Sequence, residues 1–390
     1  MVMTKMPKVV LLIESSRESG RALLYGVAQY AHHHGPWSFY WEPGGLERLP
    51  AAVHAQGADG IVTRDVDLGP TGKLLGRKMP AVVISHRHEE VPGVANVVTD
   101  CAGIAQMAAR HLLGCGFRNF GFCGYSQTGW SANRAAAFAL RIQEAGFEAR
   151  MHEVRPGVRA RGWQTARDSI CRWLVKLPLP IGVMACNDDL GKEVMESCRL
   201  AGLRVPDDVA VIGADNDELI CGLSNPPLSS VAIDFRRAGY EAADVLHQMM
   251  RGAKRVPRRI FVRASHVVPR RSTDILAIED QGMAKALRFI RDHPAGEITV
   301  EMAARAAGLS RRVLEKRFRQ YLNHSVLEEI RRVRTDRIAR MLVETDLPVA
   351  QIAETQGFAD LHHVARYFRS AKGLSPLAYR KAHSWKNAAV

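Results

Sequence analysis

The 390-residue sequence has no long apolar run. None of its apolar stretches approaches the roughly eighteen residues that a bilayer span needs, so we expect no membrane segment. The stretch from Val9 to Ile13 is also too short for the apolar region of a signal peptide, and we interpret it as a first buried strand. These absences predict a cytoplasmic protein. They argue against a sugar-transport receptor, which would need an export signal.

Cysteine is scarce, and its placement does not suit a disulfide framework. The seven cysteines are an odd number, form no CxxC pair and stop at Cys221, a pattern that favours reduced thiols in a core. The histidines at 32–34 and at 86 and 88 have neither the helical His spacing nor the Cys partners of a zinc site. We therefore expect no bound metal.

Motifs of common enzyme classes are missing as well. The segment GCGFRN (114–119) lacks the third glycine of a dinucleotide fingerprint and follows a helix. The segment GYSQTG (124–129) is not the GxSxG of a serine hydrolase. We find no catalytic constellation and predict no enzyme activity and no cofactor. An α/β enzyme acting on a sugar or nucleotide is the alternative, which a turnover assay on pentoses tests.

Acidic residues are fewer than basic residues, and most of the difference lies near the end of the chain. The whole sequence has 54 Lys and Arg against 40 Asp and Glu, a formal charge of +14. Residues 283–390 alone have 20 against 11, a net charge of +9. Such a surface is either a solvated basic face or one that contacts nucleic-acid phosphates. The charge alone does not distinguish these two alternatives, so the sequence pattern around the basic residues is needed.

The first 270 residues alternate between apolar runs and helical patterns. Six short runs bounded by polar turns occur at 8–15, 59–65, 81–86, 119–125, 181–188 and 209–216. Between them, 100–116 and 133–147 have helical spacing, and the second ends at a glycine suited to a left-handed cap. Strands alternating with helices predict an α/β unit with parallel sheets. Ligands of such sheets bind beyond the carboxyl ends of the strands.

Polar side chains follow these runs, where a ligand would lie. The candidate ligand-binding residues are Glu14, Arg17, Arg21, Trp130, Arg134, Asn187, Asp188, Asp215 and Asn216. Carboxylates, amides and guanidinium groups form paired hydrogen bonds with neighbouring hydroxyls, and an indole stacks on the C–H face of a sugar ring. Each residue alone is better explained as a turn cap. The same chemistry at several strand ends favours a sugar-binding cleft.

Three segments carry a family resemblance. Residues 117–138, 181–246 and 270–274 resemble the type I periplasmic-binding-protein fold as used by LacI-type repressors, and the resemblance covers about residues 8–270. It implies a two-lobed α/β domain in which Arg134, Asn187 with Asp188, and Asp215 hydrogen-bond an effector sugar. No helix-turn-helix precedes the first strand, so any DNA contact must lie elsewhere.

The last part of the chain contains two helix-turn-helix patterns. Residues 298–322 predict a short helix, a turn at Gly308 and a second helix capped by Ser310, with an apolar stripe of Leu314, Phe318 and Leu322. The opposite, groove-facing side of that helix contains Arg311, Arg312, Glu315, Lys316 and Arg319.

The pattern repeats at 347–376. Ala353 and Gly357 follow Ala304 and Gly308 by 49 residues, and Phe368 follows Phe318 by 50, so one extra residue lies in the turn or the helix. The segment 325–346 between them predicts an amphipathic spacer helix. We expect Leu327, Ile330, Ile338, Met341 and Leu342 to face inward and Arg331, Arg334 and Arg337 to be exposed. Such a rod separates two reading helices by about one DNA turn, roughly 34 Å.

This tandem resembles the AraC-type DNA-binding domain over about residues 283–383, including the closing GLSPLAYR. The resemblance implies base contacts from Arg312, Glu315 and Lys316 in the first reading helix, and in the second from Leu361, His362, His363 and Arg366. The two histidines either read bases or contact phosphate. Val364 stands where the family usually has an aromatic packing residue.

The combination of the two domains resembles the xylose operon regulators. The predicted organisation is a sugar-sensing domain at 1–273, a linker at 274–282 and an all-α domain with two helix-turn-helix motifs at 283–390. The resemblance implies D-xylose or another pentose as effector and control of pentose catabolic genes. The expected partners are double-stranded DNA and a second copy in a homodimer, with RNA polymerase a further candidate. A regulator that responds to another monosaccharide is the alternative.

Overall fold

The computed structural model describes residues 6–43, 57–64, 79–84, 91, 94–155, 160–253, 255–275, 280–293, 298–322, 324–358 and 360–383. Part of the predicted linker (276–279) and His86 to His88 lie outside them. The described strands are β1 (Lys8–Leu12), β2 (Ser38–Trp41), β3 (Gly60–Arg64), β4 (Ala81–Ile84), β5 (Ala95–Thr99), β6 (Asn119–Tyr125), β7 (Ala149–Val154), β8 (Ile181–Ala185), β9 (Val209–Asp215), β10 (Ser229–Ile233), β11 (Arg259–Val262) and β12 (Ala264–Val268).

Helices cover both faces of the sheets and form all of the C-terminal part. The described α-helices are α1 (Glu18–His34), α2 (Cys101–Gly114), α3 (Gly129–Glu144), α4 (Ala160–Leu174), α5 (Asp188–Leu200), α6 (Glu218–Leu223), α7 (Phe235–Met250), α8 (Gln281–Asp292), α9 (Val300–Ala307), α10 (Arg311–Leu322), α11 (Val326–Glu344), α12 (Val349–Thr355), α13 (Leu361–Lys372) and α14 (Pro376–His383).

The strands form two separate six-stranded sheets, one in each lobe of the α/β domain. The first has the order β11-β5-β4-β3-β1-β2 and the second β12-β10-β9-β8-β6-β7. All pairs are parallel except β10 with β12. The continuously apolar runs of β1, β4, β8 and β9 are buried on both faces, as parallel strands covered by helices must be. The six runs singled out in the sequence all become strands.

The chain crosses between the lobes at three adjacent points. The crossings follow β5, β10 and β11. The backbone N–H of Asp100 donates to the Val262 carbonyl (2.9 Å), and that of Asp234 donates to the Arg263 carbonyl (3.0 Å). Both aspartates also cap the helix that follows them. Three short connections joined by single hydrogen bonds form a hinge between the lobes.

The helical domain contains two small hydrophobic cores that share one helix. The first half of α11, including Val326 and Ile330, packs with α8, α9 and α10. Its second half, including Ile338 and Leu342, packs with α12, α13 and α14. In each unit a glycine with left-handed backbone follows the first helix of the helix-turn-helix motif. It is Gly308 (φ +66°) after α9 and Gly357 (φ +69°) after α12. The predicted duplication therefore covers two folding units, each with its own hydrophobic core.

The second turn is one residue longer than the first. The helix after Gly308 begins at Arg311, whereas the helix after Gly357 begins at Leu361. The extra residue therefore lies in the turn.

The exposed and buried faces of α11 differ from the sequence prediction at three positions. Leu327 is predicted to face inward, but it is 43% exposed because the buried stripe at the start of α11 runs through Val326 and Ile330, and Leu327 lies beside that stripe. Arg334 and Arg337 were expected to be exposed, but both are half-buried. Arg334 donates to the Gln356 carbonyl (2.9 Å) and Arg337 to the His293 carbonyl (2.8 Å). Of the three, only Arg331 is exposed.

Each unit of the helical domain contacts the α/β domain. Arg291 of α8 donates to the carbonyl of Gly114 at the end of α2, in the second lobe. The second unit reaches both lobes through α14. Tyr379 donates to the Ser265 carbonyl of β12 (2.7 Å), and Arg237 of α7, in the first lobe, donates to the Lys381 carbonyl (2.9 Å). The second unit therefore straddles the hinge.

A buried ion pair stabilises the first unit. Glu329 is fully buried and accepts two hydrogen bonds from Arg332 (2.8 and 2.6 Å). Burial alone would raise the pKa of Glu329, but the charge and hydrogen bonds of Arg332, together with the charges of Arg291 and His324, outweigh it, and the pKa lies below its ordinary value.

We expect Glu329→Gln to destabilise the chain by about 2–3 kcal/mol, because Arg332, about one-third exposed, loses its two short bonds to Glu329 and keeps only the longer contact with Asp336 (3.5 Å). Since the pKa of Glu329 is lowered by folding, this contribution is complete above the ordinary glutamate pKa and is lost as the pH falls through the lower value. Calorimetric unfolding of the whole chain at neutral and acidic pH measures both effects. Glu354→Gln, at an exposed position, is the control, and equal stability of the two variants would contradict the prediction.

Candidate functional site

The candidate cleft lies between the carboxyl ends of the two sheets. Glu14 follows β1, Asp215 ends β9, and Asn187 and Asp188 begin α5 directly after β8. Trp130 and Arg134 lie in the first two turns of α3. The topology therefore brings most of the predicted residues to one side of the molecule, facing the gap that the hinge spans.

Arg134 and Asp215 form the centre of the second-lobe wall. Arg134 is 3% exposed and donates to the Cys186 carbonyl (2.5 Å). One of its terminal nitrogens lies 3.7 Å from Oδ1 of Asp215, and its guanidinium carbon lies 4.8 Å from the centre of the Trp130 ring. Within the described part of the chain, Oδ1 of Asp215 is buried and accepts no hydrogen bond. A buried acceptor without a donor beside an aromatic face can receive a ligand hydroxyl.

The backbone at this point is strained. Asp215 has φ +108° and Asn216 has φ +55°, values that residues with a Cβ rarely adopt. Such conformations are retained where the surrounding structure fixes them, and they are frequent at ligand sites. Here Asn216 is fixed by its backbone N–H, which donates to Ser230 (3.0 Å), and by its side chain, which accepts from Arg270 (2.8 Å).

Charged pairs join the lobes across the cleft. Arg17, from the loop after β1, contacts Asp189 at the start of α5, with 2.6 Å between Nε and Oδ2. The backbone N–H of Glu18 donates to Asp217 (2.9 Å), and Arg21 lies 3.6 Å from the same carboxylate. Arg21 also donates to the Ser15 carbonyl, so it fixes the loop that contains Arg17. The shape of the cleft and the contact between the two lobes therefore both depend on the loop that contains Arg17.

Sequence reasoning missed one cleft residue, Arg64. It ends β3, is 8% exposed and contacts Glu14 with 2.5 Å between Nη1 and Oε1. Burial lowers the pKa of Arg64 while Glu14 and Asp215 raise it, which places all three groups in one electrostatic neighbourhood. The available signal was an arginine at the end of an otherwise apolar strand.

Two predicted residues already have protein partners. Asn187 caps α5 by accepting from the Leu190 N–H (3.0 Å). Asp188 is buried, and its two oxygens accept from Ser230 (2.6 Å) and from the Asp217 N–H (2.8 Å). These bonds connect α5 to the strands beside it. Direct ligand contact by Asn187 and Asp188 stays a prediction, whereas Asp189 faces the cleft.

The pKa of Asp215 makes the cleft sensitive to pH. The pKa of Asp215 is raised to about 6: burial is the largest cause, Arg134 opposes it, and the Asp189 carboxylate adds to it. We expect sugar affinity to be constant above about pH 7 and to fall as the pH drops through 6, because the ionised carboxylate is the stronger acceptor. Calorimetric titrations across this range check the expectation. Asp215→Asn should lose the pH dependence, and an unchanged wild-type affinity at about pH 5 would count against this carboxylate as an acceptor.

The predicted DNA-contacting residues lie on the open faces of α10 and α13. Leu314 and Phe318 are buried beneath α10, and Val364 and Phe368 beneath α13, which confirms that Val364 packs inward. Glu315 is half-buried, and the other candidates are exposed: Ser310, Arg311, Arg312, Lys316, Arg319, Leu361, His362, His363 and Arg366. Ser310 accepts from the Val313 N–H (3.3 Å) and Arg311 pairs with Glu301 (2.5 Å). DNA contact by each residue stays a prediction.

Among the described residues, no helix is long and apolar enough to cross a membrane. In the same part of the chain, no group of three or more His, Cys, Asp or Glu side chains is arranged to hold a metal ion.

Comparison with known proteins adds two domain matches and full-length relatives. A periplasmic binding protein-like domain matches residues 109–273, and a helix-turn-helix domain matches residues 303–382. The xylose operon regulatory protein of Escherichia coli (strain K12) is 28% identical over 391 residues, covering 98% of each sequence. The chain is a homologue of the xylose operon regulators. Another xylose operon regulatory protein, from Haemophilus influenzae, is 26% identical over 96% of this chain and 98% of its own.

The fold of this xylose operon regulator homologue also matches a solved structure. A xylose-binding transcription activator superposes with a TM-score of 0.63 at 27% identity, covering 98% of this chain and 99% of that one. The predicted fold class is confirmed: a two-lobed periplasmic-binding-protein-like domain followed by an all-α domain with two helix-turn-helix motifs.

Proposed function

We propose that the chain is a cytoplasmic transcription regulator that binds a pentose, D-xylose in the first instance, between its lobes and controls pentose catabolic genes. The observation that carries this proposal is the joining of a hinged, charged cleft to two exposed reading helices in one chain. The names of the full-length relatives support xylose as the effector.

The charges of the cleft favour an uncharged polyol. Arg64 pairs with Glu14, Arg17 with Asp189, and Arg134 lies beside Asp215, so each cation faces one anion. A sugar acid or sugar phosphate would add an unmatched negative charge to this balanced set. Hydroxyls instead donate to the carboxylates and accept from the guanidinium groups, and Trp130 offers a ring face. A different monosaccharide is the alternative, because a few contacts separate one aldose from another.

The attachment of the helical domain supports coupling to the hinge. The first unit contacts the second lobe through Arg291, whereas α14 of the second unit contacts Ser265 in one lobe and Arg237 in the other. A change in the angle between the lobes therefore alters the contacts that hold the second unit in place. A ligand that discriminates between two lobe angles by about 1–3 kcal/mol would change DNA affinity by a typical allosteric factor.

Further partners follow from this function. We propose a homodimer, which presents four helix-turn-helix units to double-stranded operator DNA, and RNA polymerase as a partner of an activating complex. We propose no catalytic role, since regulators of this kind act by binding.

The decisive experiment combines two measurements on the purified full-length chain. A thermal-shift screen of aldoses and pentoses should identify D-xylose or a close relative, because a ligand specific to the folded state raises the Tm. The same sugar should change the affinity for a promoter fragment of pentose genes in fluorescence anisotropy. If no monosaccharide in a broad panel changes either the Tm or the DNA affinity, the proposal is wrong.

A further inference from the structure

A cation-lined notch separates the spacer helix from the second reading helix. Its volume is about 370 Å³. The lining residues are Arg331 and Thr335 of α11 and His363, Arg366, Tyr367, Ser370 and Ala371 of α13. None of them carries a carboxylate. The notch therefore presents two guanidinium groups, an imidazole and hydroxyls, all of which can donate to an anion.

Arg331 differs from the arginines that follow it on α11. Arg332 pairs with Glu329, Arg334 donates to the Gln356 carbonyl and stacks on Phe358 (3.8 Å), and Arg337 donates to the His293 carbonyl. Within the described ranges of the chain, the Arg331 guanidinium is in no hydrogen bond and no ion pair. Its charge is not needed by the fold.

The walls of the notch are held in place. The Tyr367 hydroxyl donates to the Arg331 carbonyl (3.2 Å), and the Thr335 hydroxyl donates to the same oxygen (2.7 Å). The Tyr367 bond joins α13 to α11 at the residue from which the Arg331 side chain projects, and the Thr335 bond lies within α11. A ligand would bind here to a preformed site, which lowers the entropic cost of ordering side chains on binding.

The first unit provides an internal comparison. Arg317, fifty residues before Tyr367, pairs with Asp280 at the start of α8 (2.5 and 2.7 Å). The corresponding junction between the reading helix and the helix behind it is thus closed by an ion pair in the first unit. Only the second unit offers an unpaired arginine at this junction among the residues the structure describes.

We propose that the notch binds a backbone phosphate of DNA and that Arg331 is its principal ligand, with Arg366 beside it. This inference rests on the proposed DNA-binding function and extends it to a residue outside both reading helices. A guanidinium fork matches two phosphate oxygens, and contacts of this kind fix the register of a protein on DNA without reading its sequence. The anchor would hold the second unit on DNA while residues near the start of α13 reach the bases.

The test is the salt dependence of DNA binding by the full-length chain. Two probes are used: a random-sequence duplex, and the best-bound duplex selected from a randomised pool. We expect Arg331→Gln to weaken binding to both probes by about tenfold at low salt and to reduce the slope of log affinity against log salt by about one. Arg331→Lys should restore most of the slope, because it restores the charge.

Arg340→Gln, nine residues further along the same helix and outside the notch, is the matched control and should leave the slope unchanged. An unchanged slope in Arg331→Gln overturns the inference. A loss of affinity confined to the selected duplex also overturns it, because that would indicate base reading. So does a loss of DNA affinity seen only in the presence of a second protein, because that would indicate that the notch binds a protein partner. Failure of the wild-type chain to bind either duplex would instead contradict the proposed function.

Discussion

Replacing Lys316 by glutamate should weaken operator binding by about 100-fold or more, while sugar affinity stays within about twofold of wild type. Lys316 is exposed in the middle of α10, which buries Leu314 and Phe318 on its other side, so it lies on the face that we predict to enter the groove. A lost base contact costs about 1–3 kcal/mol, and the new carboxylate adds repulsion from the phosphates. Fluorescence anisotropy with the operator and calorimetry with the sugar measure the two affinities.

Lys285→Glu is the matched control, because it makes the same change of charge at an exposed position of α8 outside both reading helices. We expect it to reduce DNA affinity only through the general loss of positive charge, by a few-fold. Equal effects of the two substitutions would show that Lys316 contributes charge but no specific contact. Retained operator affinity in Lys316→Glu would remove α10 from the DNA interface.

Removing either Arg134 or Asp215 should abolish the sugar response and spare DNA binding. Each Ala variant loses a charged hydrogen-bonding group at the centre of the cleft, which we expect to lower sugar affinity about 100-fold. Arg134→Ala also leaves the Cys186 carbonyl and Asp215 without their cation, so some stability is lost. Asp215→Asn keeps the shape of the side chain and separates the ligand effect from the folding effect.

The control for this pair is Arg141→Ala, one heptad further along α3 and paired with Glu144 at the surface (2.8 Å). Calorimetry gives the sugar affinity of each variant, and anisotropy with the operator shows whether the DNA-binding domain is intact. If Arg134→Ala and Asp215→Asn bind pentose as tightly as wild type, the cleft assignment is wrong.

The strands that could be predicted are those buried on both faces. β8 and β9 are continuous apolar runs because helices cover both sides of the sheet. The strands missed include β2, β7 and β11, which lie at sheet edges and have exposed positions, so no continuous run marks them. β10 is an inner strand, but buried serines interrupt its apolar character.

The cleft was harder to predict than the sheets. Position after a strand predicted Glu14 and Asp215, which the structure places at the cleft. It could not distinguish Asp188, which bonds to Ser230 and Asp217, from Asp189, which contacts Arg17, because that depends on how α5 is rotated. An arginine at the end of a mostly apolar strand is a sequence signal for Arg64, but only its contact with Glu14, fifty residues away in the sequence, places it in the cleft. On α11, periodicity placed Ile330 and Ile338 correctly, whereas the partners of Arg334 and Arg337 are backbone carbonyls that no pattern of side chains reveals.

Because α11 contributes to two separate cores, a substitution that repacks one unit leaves the packing of the other intact. The two units have different side chains on their outer faces: Arg312 and Lys316 on α10, and His362 and Arg366 on α13. The halves of the target site need not resemble each other, and a promoter can change one half while the protein adapts only the helix that faces it.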